Sequence, residues 1–130
     1  MPGVKQAHWN VKGPHFMALH ELFDQVNEAV VEYVDNIAER AVQLGGVAEG
    51  TARVVARQSS LAEYPATAVE GRSHVEALSS VLAAFGKLAR KAIADAGELG
   101  DLDTADLFTE VSRGIDKWLW FVEAHLQAEL

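Results

Sequence analysis

Two pairs of ionisable residues in this chain have the spacing of metal ligands on a helix. His20 and Asp24 are four residues apart, and so are Asp35 and Glu39. Residues four apart lie one above the other on a helix face, so each pair could hold a cation between two side chains. His8 lies just upstream, where capping or packing is the simpler interpretation of a single histidine. The pattern therefore predicts metal binding by imidazole and carboxylate groups.

The segment from His15 to Leu44 is predicted to form the helix that carries both pairs. It contains no glycine and no proline, so it would run unbroken for about eight turns. His20 and Asp35 are fifteen residues apart. That separation is roughly 22 Å along a helix. A single ion therefore cannot be reached by both pairs of one chain.

Two copies of this helix would bring the pairs together. The two pairs are placed symmetrically about one point of the helix, between positions 29 and 30. If two copies pack antiparallel about a two-fold axis through that point, His20 lies opposite Glu39 of the second copy, and Asp24 lies opposite Asp35. The spacing thus predicts a site shared between two subunits.

Apolar residues at helical spacing form the face of this helix that is predicted to pack in a core. They are Leu19, Leu22, Phe23, Val26, Val30, Tyr33, Val34, Ile37, Ala41 and Leu44. The four ionisable residues fall roughly 100 to 200° away from Leu19. A metal inside a four-helix bundle needs inward ligands, usually with Glu-x-x-His sets, and the chain has none. The metal hypothesis therefore holds only for a site at an interface. From these residues alone, a solvated surface is the more common explanation of an outward polar face.

The rest of the chain is also predicted to be helical. Gly45 and Gly46 end the long helix, because glycine is favoured just past a helix C-terminus. The further elements are a short helix at Thr51–Gln58, a helix from about Ala68 to Ala96 with Thr67 as its cap, and a last helix from about Thr104 to Ala128. Three long helices and a short one suit a single all-α domain, residues 1–130, folded as a bundle with one long crossing connection.

Composition narrows the class of protein. The chain has 130 residues, a formal net charge of −8 and no cysteine, so it has no thiolate site. No apolar run approaches the ~20 residues that span a bilayer, and no leader is recognisable, so we expect a cytoplasmic protein without a membrane partner. His15, His74 and His125 are expected at the surface or as helix caps.

Longer motifs make the chain resemble a known family. Two segments carry the likeness, KQAHWNVKGPHFMALHELFD at 5–24 and DNIAER at 35–40. They strongly resemble the Dps family, the mini-ferritins named as DNA-binding proteins from starved cells. The likeness continues through 41–46 and 116–123 and covers nearly the whole chain. It implies a ferritin-like four-helix subunit and a homo-oligomer, a hollow dodecamer built from two-fold dimers that stores a ferric mineral.

The resemblance also implies a reaction and the residues that carry it. Proteins of the family oxidise Fe(II), preferentially with hydrogen peroxide, so the chain would be a ferroxidase with iron as its metal. His8, His20 and Asp24 would come from one subunit, and Asp35 and Glu39 from its mate. Imidazole and carboxylate ligands suit iron, and zinc remains an alternative occupant because it binds the same groups well.

Acidic residues crowd the start of the last helix. They include Asp101, Asp106 and Glu110. Capping and a favourable interaction with the helix dipole explain such a cluster by themselves. The resemblance implies a second role, because the corresponding region of Dps shells lines acidic pores on three-fold axes. Negative charge in such a pore concentrates Fe(II).

The chain departs from the family pattern at its first residues. Only seven residues precede His8, and they begin Met-Pro-Gly, a poor helix start, so the first helix is expected to be largely truncated. No Lys- or Arg-rich tail is present to engage phosphates and the net charge is −8, so direct DNA binding is not expected. Two alternatives stay open, a nucleoid-packing protein in which iron is incidental and a catalytically silent helical oligomer.

Overall fold

Five helices make up the described part of the chain. The computed structural model describes residues 2–61, 64–65 and 70–127, with the side chains of all of these except 2 and 127. The helices are α1 Pro2–Asn10, α2 Phe16–Gln43, α3 Ala52–Gln58, α4 Gly71–Glu98 and α5 Leu102–Gln127. α1 packs along α2, α4 packs along α5, and the two pairs meet through α2–α5 and α1–α4 contacts. The predicted all-α bundle is confirmed, with α3 in the connection that crosses from α2 to α4.

α1 corrects the expectation that Met-Pro-Gly is a poor helix start. The helix includes Pro2, and proline is tolerated in the first turn because its missing N–H would have no intrahelical acceptor there. Val4, Ala7 and Val11 are buried in the core. α1 has nine residues and α2 has 28, so α1 lies along only part of α2.

Burial along α2 stops halfway. Its buried residues are Leu19, Leu22, Phe23, Val26 and Val30, and none lies beyond the middle of the helix at Val30. The predicted apolar face continues further, but Val34 is 53% exposed and Leu44 is 58% exposed. Periodicity identifies residues that share a face, whereas a neighbouring element decides whether that face is covered. The prediction of one continuous core face is therefore wrong at Val34 and Leu44, whereas Tyr33 and Ile37 of the same face are partly buried against the core.

Glycines end α2 as predicted. Gly45 adopts a φ of 93°, a conformation that residues with a Cβ rarely take. Its N–H donates to the Val42 carbonyl at 3.0 Å, and the Gly46 N–H donates to the Ala41 carbonyl at 2.9 Å. These two bonds satisfy carbonyls that the helix end would otherwise leave without partners.

Two of the later helices start elsewhere than predicted. Glu70 has an extended backbone (φ −70°, ψ 140°), so α4 begins at Gly71 and not near Ala68. The predicted cap Thr67 lies outside the described residues. α5 begins at Leu102, slightly before its predicted start, whereas α3 matches its predicted position.

A glycine allows α2 to approach α5 closely. A Cβ on Gly114 would lie 2.7 Å from Cζ of Tyr33, so only a residue without a side chain leaves room for the tyrosine ring. Burial raises the pKa of Tyr33, a hydrogen bond from Trp118 opposes the increase, and nearby acidic charge adds to it. In the part of the chain that the structure describes, none of the helices has the length and apolarity to span a bilayer.

His74 is a core residue, which corrects the expectation that it lies at the surface or caps a helix. Its side chain is fully buried, and the ring of Phe23 meets it edge-on with centroids 6.2 Å apart. The Tyr64 hydroxyl forms a hydrogen bond with its Nδ1. Burial raises the pKa of Tyr64 to about 12. The hydrogen bond between Tyr64 and His74 links the crossing connection to α4. The other two histidines of this prediction, His15 and His125, are exposed as expected.

Candidate metal centre

α1 and α2 bring His8 and His20 face to face. Their rings stack with centroids 3.8 Å apart and planes 14° apart. His8 Nδ1 lies 2.7 Å from the His20 carbonyl oxygen, and His20 Nδ1 lies 2.7 Å from the His8 carbonyl oxygen. A carbonyl oxygen can only accept, so both Nδ1 atoms carry a hydrogen and donate. In the neutral rings Nε2 then holds the lone pair, so the hydrogen bonds leave both Nε2 atoms available to bind a metal.

Asp24 is the third predicted ligand of this cluster, and it is paired with Lys5. Lys5 Nζ donates to Asp24 Oδ1 at 2.9 Å, with the two side chains 34% and 40% exposed. The hydrogen bond from Lys5 lowers the pKa of Asp24, burial opposes this, and positive charge on Lys5, His8 and His20 reinforces it. Sequence reasoning missed Lys5, although it lies about one helical turn before His8 and shares its face.

Asp35 and Glu39 form a second cluster, in the part of α2 after Val30, where no residue is buried. Both side chains are exposed. A hydrogen bond with Asp35 raises the pKa of Glu39, and the negative charge of Asp35 and partial desolvation add to the increase. Two neighbouring carboxylates repel each other when both are ionised, so a cation placed between them would be favoured.

One chain therefore holds two separate groups of predicted ligands, or half-sites. The first is His8, His20 and Asp24, where α1 packs on α2, and the second is Asp35 and Glu39. Along α2 they are roughly 22 Å apart, measured from His20 to Asp35. Among the described residues, no three His, Asp or Glu side chains are grouped closely enough to hold a metal ion. The structure thus brings His8 and His20 together, leaves the Asp24 carboxylate paired with Lys5, and keeps Asp35 and Glu39 at a distance.

Asp101 has structural partners that explain its presence at the start of α5. Its carboxylate accepts hydrogen bonds from the Thr104 N–H at 3.1 Å, the Thr104 hydroxyl at 2.6 Å and Arg40 Nη2 at 3.2 Å. The bonds from Thr104 lower the pKa of Asp101, burial opposes them, and Arg40 adds to the decrease. Asp101 therefore caps α5 and ties it to α2. Asp106 and Glu110 are exposed, and for them the pore role stays a prediction.

Comparison with known proteins gives consistent matches over nearly the whole chain. The model of the ferritin-like domain matches residues 4–129. The DNA protection during starvation protein of Agrobacterium fabrum is 47% identical over 124 residues, which cover 95% of this chain and 76% of that protein. The protein of the same name from Mycolicibacterium smegmatis is 34% identical over 125 residues, covering 96% and 68%.

Solved structures give the same result for the fold. Dps from Microbacterium arborescens, in its high iron form, superposes with a TM-score of 0.91 at 37% identity, covering 97% of this chain and 82% of that one. Antigen TpF1 from Treponema pallidum superposes with a TM-score of 0.93 at 27% identity, covering 98% and 81%. The predicted ferritin-like bundle is confirmed.

Proposed function

This chain belongs to the Dps family of ferritin-like proteins, as its motifs predicted, and we propose that it oxidises Fe(II) with hydrogen peroxide at sites shared between two subunits. Family membership supports the general role of iron storage and protection. One observation supports the proposal that the site is shared between two subunits. The predicted ligands of each chain are split into two clusters, and among the described residues neither cluster has three ligands placed for a metal ion.

Pairing of two α2 helices would complete both half-sites. In an antiparallel pair, His20 of one chain lies opposite Glu39 of the other. The second half of α2, which carries Asp35 and Glu39, also exposes apolar side chains, with Val31 50% exposed and Val34 53% exposed. A second copy would cover this apolar surface, so the same contact would bury it and assemble the metal ligands.

Iron is the substrate of the proposed site. Two Fe(II) ions each give one electron to hydrogen peroxide, its O–O bond breaks, and two Fe(III) ions and two hydroxide ions result without release of hydroxyl radical. The Nε2 atoms of His8 and His20 and the carboxylates of Asp24, Asp35 and Glu39 would bind the ions. Such a set of imidazole and carboxylate ligands leaves metal positions open to peroxide and water.

Storage of the product needs a larger assembly. We propose that the two-fold dimers build a hollow dodecamer that holds the ferric mineral, and that Asp106 and Glu110 help to draw Fe(II) through acidic pores. The proposal places the protein in the cytoplasm.

The net charge of −8 opposes direct binding to DNA phosphates, so the protection we propose acts through iron and peroxide.

Complementation between two inactive variants tests the shared site. His20→Ala and Asp35→Ala should each lose rapid Fe(II) oxidation by stoichiometric peroxide. When they are co-expressed, a mixed dimer has one site in which both missing groups coincide and one site that is intact. Random pairing should therefore restore about a quarter of the wild-type sites, because a two-fold interface uses each surface twice.

Co-expression of His20→Ala with Asp24→Ala provides the matched control. These two residues belong to the same half-site, so every site in a mixed dimer lacks one of them, and activity should stay lost. Size-exclusion chromatography would check that all variants form the wild-type oligomer. Failure of the His20→Ala and Asp35→Ala mixture to regain activity, with assembly intact, would show that the site is not shared.

A further inference from the structure

The imidazole of His20 stacks with two other rings. The first is His8, at 3.8 Å between centroids. The second is Phe16, whose ring centroid lies 5.1 Å away with the planes 23° apart. Phe16 is the first residue of α2 and precedes His20 by four residues, so the two side chains lie on one helix face. Phe16 is 39% exposed, so it contributes less to the core than a buried apolar residue would.

The stack restricts a torsion that is otherwise soft. Rotation about the Cβ–Cγ bond of histidine has a broad energy profile, so packing and hydrogen bonds must set the direction of the ring. In His20 the bond from Nδ1 to the His8 carbonyl fixes one ring atom. Turning the ring would break this bond and also the stacking with Phe16. Both contacts therefore hold the direction in which the Nε2 lone pair points.

We propose that Phe16 is a positioning residue of the metal half-site. Its ring holds the His20 imidazole in the orientation that binds metal, and it does so without contacting the ion. The inference rests on the proposed function, because it takes His20 to be a ligand. Phe16 has no metal-binding group of its own. It would affect metal affinity only by holding the His20 ring in place.

Binding of Co(II) to the assembled protein tests this role separately from catalysis. Peroxide is left out, so no oxidation occurs, and the visible absorption of Co(II) reports the geometry of its ligands. Phe16→Leu keeps an apolar side chain but removes the ring, whereas Phe16→Tyr keeps the ring. Met17→Leu is the matched control, because Met17 is the next residue and is 60% exposed.

We expect Phe16→Leu to weaken Co(II) binding roughly threefold to tenfold, the range that one aromatic stacking contact supplies. Its Co(II) spectrum should also change. Phe16→Tyr and Met17→Leu should keep the wild-type affinity and spectrum. Melting temperature and oligomer size would be compared in parallel, and if Phe16→Leu does not fold, Phe16→Met makes the same comparison with Phe16→Tyr.

A His20→Ala variant separates the two ways of failing. If wild type binds Co(II) no more tightly than His20→Ala, then His20 is not a ligand, and the proposed function fails together with this inference. If wild type binds more tightly than His20→Ala but Phe16→Leu matches wild type in affinity and spectrum, the metal site stands and the positioning role of Phe16 is refuted. Equal losses in Phe16→Leu and Phe16→Tyr would refute it as well.

Discussion

Replacing Lys5 with methionine should strengthen metal binding at the half-site formed by His8, His20 and Asp24. In the wild type, the Lys5 ammonium lies 2.9 Å from Asp24 Oδ1. A metal ion must displace this ammonium before it can use the carboxylate, and it is repelled by the same positive charge. Methionine keeps an unbranched side chain and a high helix propensity, so Lys5→Met removes the charge while changing the packing of α1 little.

The size of the effect follows from how exposed the ion pair is. The two side chains are 34% and 40% exposed, so water and salt screen much of their attraction. Ion pairs with this degree of exposure make small contributions, and the corresponding gain in metal affinity is roughly twofold to fivefold at low salt. Because screening weakens the wild-type ion pair, the advantage of Lys5→Met should shrink as salt is added.

Calorimetric titration with Co(II), at low and at high salt, measures this difference. Lys12→Met is the matched control, since it removes one positive charge from the exposed loop between α1 and α2. The pH dependence gives a second measurement. Lys5 lowers the pKa of Asp24, so without Lys5 the carboxyl should take up a proton, and lose metal, at a higher pH than in the wild type. Equal Co(II) affinities for Lys5→Met and Lys12→Met at low salt would refute the reasoning.

Two further predictions concern stability. Gly114→Ala should lower the melting temperature by several degrees, because its Cβ would lie 2.7 Å from Cζ of Tyr33 and overpacking of this kind costs roughly 1–3 kcal/mol. Gly97→Ala, where nothing lies within 4 Å of the new Cβ, should leave it unchanged or raise it, and equal melting of the two variants would contradict the packing argument. Tyr64→Phe should lower the free energy of unfolding by roughly 1–3 kcal/mol in a urea titration, because buried His74 loses a hydrogen bond. Burial raises the pKa of Tyr64 from 10.0 to about 12, so its contribution is complete below pH 10 and is lost as the pH rises toward 12. Tyr64→Phe should lack this alkaline decline, and a wild-type pH profile in the variant would assign the decline to other groups.

The placement of the predicted ligands on α2 follows from the sequence because its signal is local. His20 and Asp24 are one turn apart, and the absence of glycine and proline through this segment predicts the helix that aligns them. The end of α2 at Gly45 is equally local. His8 is different, because its contact with His20 depends on how α1 packs. Only the family motif linked these two histidines before the structure did.

Residues whose roles depend on packing could not be predicted in the same way. His74 is in phase with Leu78 and Leu82, so its spacing carried a signal of burial, but a histidine alone does not reveal the Tyr64 hydroxyl that satisfies it. The bond between Arg40 and Asp101 joins residues 61 positions apart, and no local pattern indicates it. The capping of α5 by Asp101 is local, because Thr104 follows it by three residues, but its link to α2 is a long-range contact.

The uneven burial along α2 has a consequence for the life of a newly made chain. Buried side chains hold the helix from Leu19 to Val30, whereas none is buried from 31 to 43. In a lone chain the amide hydrogens of the second segment should exchange with deuterium faster, because only partly buried side chains such as Tyr33 and Ile37 hold it and local opening is easier where burial is lower. Association with a second copy would slow this exchange and complete the metal sites in one event. Dilute chains would then be unable to oxidise iron, and activity would first rise with the square of the chain concentration.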